Sequence, residues 1–133
     1  MSLDVFLTAF RGGEEVPVDR DALDISLARN GLTAEQTEAL TADGGRAHLL
    51  VDEDGASFLV EALTPELSRL VFDLARDSKL VVLPADGTPN VFLVDRAQAA
   101  GLPEDLEPNI VATSAALHAR LRASAEAHGA QPA

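Results

Sequence analysis

The chain of 133 residues has no cysteine, no tryptophan and no tyrosine, and only five phenylalanines. The lack of cysteine excludes a disulfide framework, a thiolate metal site and a cysteine nucleophile. The scarcity of aromatics leaves little on which single-stranded nucleic acid can stack. Basic residues are also few: 10 Lys and Arg stand against 22 Asp and Glu, a formal net charge of −12. A phosphate backbone is repelled by such a chain, so no nucleic-acid partner is expected. Apolar runs fall far short of the roughly 18–20 residues that cross a bilayer, and no membrane partner is expected. The opening M-S-L-D-V-F has no basic segment before an apolar core and enters a strand directly. A signal peptide is therefore not expected and a cytoplasmic protein is.

What is present is organised around Arg46–Pro84, which reads as strand, tight turn, strand, capped helix, strand. Asp54-Gly55 suits a two-residue mirror-image turn. Pairing Glu53 with Ala56 sets Val51 opposite Phe58, Leu49 opposite Val60 and Ala47 opposite Ala62, all on one apolar face. The other face carries Arg46, His48, Leu50 and Asp52 against Glu61, Leu59 and Ser57. Thr64 is an N-cap, Pro65 occupies the first helical position and Glu66 suits the positive end of the helix dipole. Leu67, Leu70, Val71, Leu74 and Ala75 then form one apolar stripe. Lys79 marks the exit, and Leu80–Leu83 is an apolar strand stopped by Pro84.

Before this stretch, Leu3–Phe10 is a strand and Arg11–Val18 a loop holding Gly12, Gly13 and Pro17. Asp19 caps a helix to about Asn30, with Val18 and Leu23 as a hydrophobic staple and Gly31 as the left-handed stop. Its apolar positions are Leu23, Ile25, Leu27 and Ala28. Thr33–Thr41 has the spacing of a short helix or a surface connector. After it, Val91–Val94 is a fifth strand, Asp95–Ala100 a helical turn ended by Gly101, and residues 103–109 an acidic loop. Ile110–Ala112 is extended, and Thr113 or Ser114 caps a last helix to about Ala127 with a thin stripe of Leu117 and Leu121.

The order β-α-β-β-α-β predicts an α+β fold, a ferredoxin-like two-layer sandwich extended by an extra strand and a C-terminal helix. One domain is expected over residues 1–128, with 129–133 as a frayed tail. Phe6, Phe10, Leu50 and Leu59 point to the sheet face without the two helices. The last helix or a second copy of the protein is expected to cover them, and a homodimer through that face is the favoured expectation.

The charge is uneven: residues 1–66 carry a net −10 and residues 67–133 a net −2. Acidity serves solubility in any protein, and it also suits a basic partner. Three histidines are present, and no H-E-x-x-H or related spacing joins them, so neither metal nor cofactor is expected. His48 and Glu61 form the one pair with a geometric basis, as an acid–base couple or an ordinary cross-strand contact. His118 falls on the wet side of the last helix and His128 in the tail. Asp52-Glu53-Asp54-Gly55 lacks the spacing of a calcium loop and reads as a charged hairpin turn. Gly12-Gly13 and Gly44-Gly45 lack phosphate-loop spacing, and Glu14-Glu15 would repel a phosphate.

D-V-F-L at 4–7, G-E at 13–14, F-D-L-A at 72–75 and V-V-L-P at 81–84 resemble small actinobacterial proteins of unassigned function. The resemblance implies a single cytoplasmic domain and leaves function open. The leading expectation is a non-catalytic acidic protein-interaction module, of which an inhibitor or immunity-type protein neutralising a basic partner is one form. Its candidate binding residues are Arg11, Glu14, Glu15, His48 and Glu61. The alternative is a small-molecule-binding regulatory domain with its site in the loop 10–19. A third reading, an enzyme, needs a deep pocket that gathers His48, Glu61 and Arg46.

Overall fold

A computed structural model describes residues 3–129, with side chains to Glu126. Of the expected tail (129–133), Gly129 belongs to the last helix, while residues 130–133 and the His128 side chain lie outside the described residues. The fold is α+β, with a mostly antiparallel sheet. The strands are β1 (Leu3–Arg11), β2 (Glu14–Val16), β3 (Glu38–Leu40), β4 (Arg46–Asp52), β5 (Gly55–Ala62), β6 (Val81–Pro84), β7 (Asn90–Leu93) and β8 (Glu107–Ile110). The helices are α1 (Arg20–Arg29), α2 (Pro65–Ser78) and α3 (Ser114–Gly129), with a 3-10 helix at Arg96–Gly101. The sheet order is β3-β4-β5-β1-β6-β7-β8, with β2 beside β1. Among the described residues, β7 and β8 are the one parallel pair.

The sheet is longer than expected, because short pieces read as loop or helix pair with a neighbour. Gly12 and Gly13 both take positive φ (60° and 80°), so the loop after β1 folds straight back as β2. Glu38–Leu40 is not helical: it pairs with Arg46–His48 and becomes the edge of the sheet. Glu107–Ile110 joins the end of the expected acidic loop (103–109) to Ile110, expected as extended, and forms the opposite edge.

The β4–β5 register also differs. Asp52 pairs with Gly55, Leu49 with Phe58 and Ala47 with Val60, so the turn residues are Glu53 and Asp54. The expected mirror-image turn is absent because neither has positive φ; that conformation falls on Gly55, at 134°. A Cβ on Gly55 would overlap the Leu7 carbonyl oxygen of the neighbouring strand. From the turn to Ala47 and Val60 the shift is two residues, so those side chains keep their faces; beyond it Ala62 pairs with Arg46 instead of the expected Ala47.

All three helices lie on one face. Leu3, Val5 and Leu7 of β1 meet Leu23 and Leu27 of α1, Leu67 and Leu74 of α2, and Leu117 and Leu121 of α3 in one core. The last helix therefore does not cover the second face; it flanks α2, with α1 on the other side. The flanking explains why α2 buries Ser68 and Ser78 as well as its apolar stripe. Along α1 the buried positions are Leu23, Ser26 and Leu27, leaving Ile25 55 % exposed, against expectation. Ser26 meets the Asp77 carboxylate of α2 at 3.1 Å.

The capping predictions hold: Asp19, Thr64 and Thr113 each accept a backbone N–H from the first turn that follows. Lys79 ends α2 in the left-handed region, with φ 55°. The turn before β4 docks on the start of α2, where the Asp43 carboxylate accepts the Glu66 N–H and Glu66 accepts the Asp43 N–H. Partial desolvation raises the Asp43 pKa, but hydrogen bonds from the Thr41 and Thr64 hydroxyls and from backbone N–H groups outweigh it and hold it at about 2.

On the second face, the 3-10 helix and the segment after it cover the β6–β7 end. Val81, Val91 and Leu93 form a small core there with Phe10, Leu83, Ala99, Leu102 and Leu106. This cover satisfies the apolar outer side of β6 and β7. The outer side of β4, β5 and the first half of β1 stays open.

Candidate functional site

The open region is laid out by strand alternation. Its side chains are Arg46, His48, Leu50 and Asp52 from β4, Ser57, Leu59 and Glu61 from β5, and Asp4, Phe6, Thr8 and Phe10 from β1. Ser57 pairs with Leu50 on one side and Phe6 on the other, and Phe6 pairs with Leu83. One row across the sheet is thus nearly all apolar, with the small Ser57 between larger neighbours. Phe6 is 38 % exposed, Leu50 63 % and Leu59 37 %. Single exposed apolar side chains are ordinary, but three on adjacent strands of one face form a patch.

Beside this row lies an open trough of about 420 Å³. Phe6, Phe10, Leu50 and Leu83 give it apolar walls, and Glu15, Asp52 and Asp54 are its charged residues. The β1–β2 hairpin delivers Glu15 by pairing it with Phe10. The Val18 N–H bonds the Glu53 carbonyl at 3.1 Å, holding the exit of β2 beside the β4–β5 turn that carries Asp54. Thr8 also lines the trough; it is 6 % exposed, and its Oγ1 has no hydrogen-bond partner among the described residues.

A charged cluster occupies the other end of the face. Four residues along β4, about 13 Å at strand rise, separate His48 from Asp52. Glu61 Oε1 lies 2.7 Å from His48 Nε2, and Arg46 lies 3.9 Å from Glu61 and 3.8 Å from Glu38. The His48–Glu61 couple exists, but Leu59 rather than Glu61 is the ladder partner of His48. His48, Glu61 and Arg46 do meet, as the enzyme reading requires. They meet on an exposed face, each side chain at least 39 % accessible, and none of them lines the trough.

The five sequence-predicted residues therefore divide into three places. Glu15 belongs to the trough. His48 and Glu61 pair with each other at the far end. Arg11 and Glu14 are cross-strand partners at the tip of the β1–β2 hairpin and do not reach the trough. The loop 10–19 is a hairpin whose Gly13 N–H bonds the Gly101 carbonyl at 3.0 Å. Asp52 and Asp54 were missed as site residues. Asp52 shares the parity of Leu50, and Thr8 that of Phe6 and Phe10, signals that were present in the sequence.

A second cavity, about 600 Å³, opens between β5, the start of α2 and α3, lined by Glu61, His118, Arg122 and Glu126 among others. His118 is not on the wet side of its helix. It is half-buried, with Nδ1 2.8 Å from the fully buried Ser68 hydroxyl. Among the described residues no group of three or more His, Asp or Glu is placed to hold a metal ion, and no helix is long and apolar enough to cross a membrane. No protein-family model, curated protein or solved structure matches the chain.

Proposed function

We propose that this chain is a non-catalytic, cytoplasmic interaction module that presents the open outer face of β4, β5 and β1 to a basic protein. The observation that carries the reading is the trough: apolar walls, and charged lining residues that are all acidic. Apolar area supplies binding free energy, while the acidic rim steers a basic partner and rejects acidic ones. The net charge of −12 extends the same preference over longer range. As part of the same reading, β4-β5-β1-β6 with α1 and α2 forms a ferredoxin-like core. Its four strands are antiparallel throughout and follow β-α-β-β-α-β chain order.

A second copy is the weaker occupant of this face. A two-fold contact brings the same patch against itself, and here that sets Glu15, Asp52 and Asp54 near their own counterparts. Like charges across an interface cost several kcal/mol by rough estimate. A basic partner removes that repulsion.

The test compares capture from a native lysate by the wild-type chain, Leu50→Lys on the outer face and Ile25→Lys on exposed α1. The expected result is a basic protein retained by wild type and by Ile25→Lys, released by moderate salt and lost with Leu50→Lys. An identical retained set for all three chains would contradict the reading.

A further inference from the structure

We propose that the trough is a socket for one Lys or Arg side chain of the partner, with its stem on the apolar walls and its cationic head among Glu15, Asp52 and Asp54. This rests on the interaction-module reading and adds what the partner must insert. Long cationic side chains bury an apolar stem while keeping the charge in polar surroundings. The trough offers both halves. Phe6, Leu50 and Leu83 offer apolar wall for the stem, and Glu15, Asp52 and Asp54, carried by two hairpins, line the same trough for the head.

Neighbouring cavities lack this arrangement. Arg122 and His118 line the one beside α3, and Arg76, Lys79 and Arg96 line the one at the end of α2. A cation entering either meets like charge, or a carboxylate already engaged: Glu126 accepts from Arg122 at 3.2 Å. Among the described residues no basic side chain lines the trough to neutralise its rim.

The experiment is a ¹H–¹⁵N NMR titration of the full chain with four blocked pentapeptides, Gly-Gly-X-Gly-Gly, where X is Arg, Lys, norleucine or Glu. Norleucine keeps the stem without the charge. Saturable amide shifts centred on Phe6, Thr8, Gly55 and Ser57 are expected with Arg or Lys, binding about fivefold or more tighter than norleucine. Glu should give no such shifts, and Asp52→Asn with Asp54→Asn should bring Arg and Lys to the norleucine level; the same spectra report whether the variant is folded. Norleucine binding as tightly as Arg and Lys, shifts centred elsewhere, or no binding by either cationic peptide would overturn the socket. None of these results would reverse the Leu50→Lys capture test, so the two claims fail separately.

Discussion

Glu61 Oε1 lies 2.7 Å from His48 Nε2, yet Glu61 has no partner in the β4–β5 ladder. Ala47 pairs with Val60 and Arg46 with Ala62, so Glu61 is the extra residue of a β-bulge. The bulge turns its carboxylate toward both His48 and Arg46. The contact is solvent-accessible on both sides, which limits its worth. A double-mutant cycle with His48→Ala and Glu61→Ala, read by urea unfolding near pH 6, should give a coupling of about 0.2–1 kcal/mol. A coupling several times larger would mean that the pair is a structural keystone and not a surface contact.

Gly55 sets the register of the hairpin, so its replacement should be costly. Gly55→Ala combines left-side φ with overlap of the Leu7 carbonyl oxygen and should lower stability by more than about 2 kcal/mol. Gly87 is the control, with φ 81° and nothing within 4 Å of an added Cβ. Gly87→Ala should cost only about 1 kcal/mol. Urea midpoints followed by far-ultraviolet circular dichroism would separate the two, and equal losses would place the close approach elsewhere.

Asp43 gives the acid limb of stability a defined sign. Its folded pKa, about 2, lies below the ordinary 3.8, so its contribution is fully present above about pH 4 and is lost as pH falls toward 2. Asp43→Ala should be less stable than wild type at neutral pH and should narrow that gap between pH 4 and 2. Urea midpoints across pH 2–6 check this. A gap that does not change with pH would show that the ionised carboxylate is not what holds the turn to α2.

How much of this was legible in the sequence depends on distance along the chain. Helix starts could be read because capping is local: Asp19, Thr64 and Thr113 act on N–H groups two or three residues away. The faces of β4 and β5 were legible from alternation, and so was the outward direction of Phe6, Leu50 and Leu59. The Gly55 register was not, because its cause is the backbone of Leu7, almost fifty positions earlier. Nor was the layer of α3, since a thin stripe of Leu117 and Leu121 fits either face of the sheet. Ile25 misled because spacing within one turn left two readings, and the buried choice went to Ser26, which bonds Asp77 on α2. The trough stayed hidden for a related reason. Glu15 comes to line the same trough as Asp52 and Asp54 only because Gly12-Gly13 reverses the chain and Val18 ties β2 to the Glu53 carbonyl.

The central claim is that the outer face of β4, β5 and β1 is held open for a different protein. Light scattering with refractive-index detection on the purified chain tests it directly, in low and in moderate salt. A monomer of 14.0 kDa in both conditions is the predicted result. A stable dimer that Leu50→Lys dissociates would contradict it, because the face would then already be closed by a second copy.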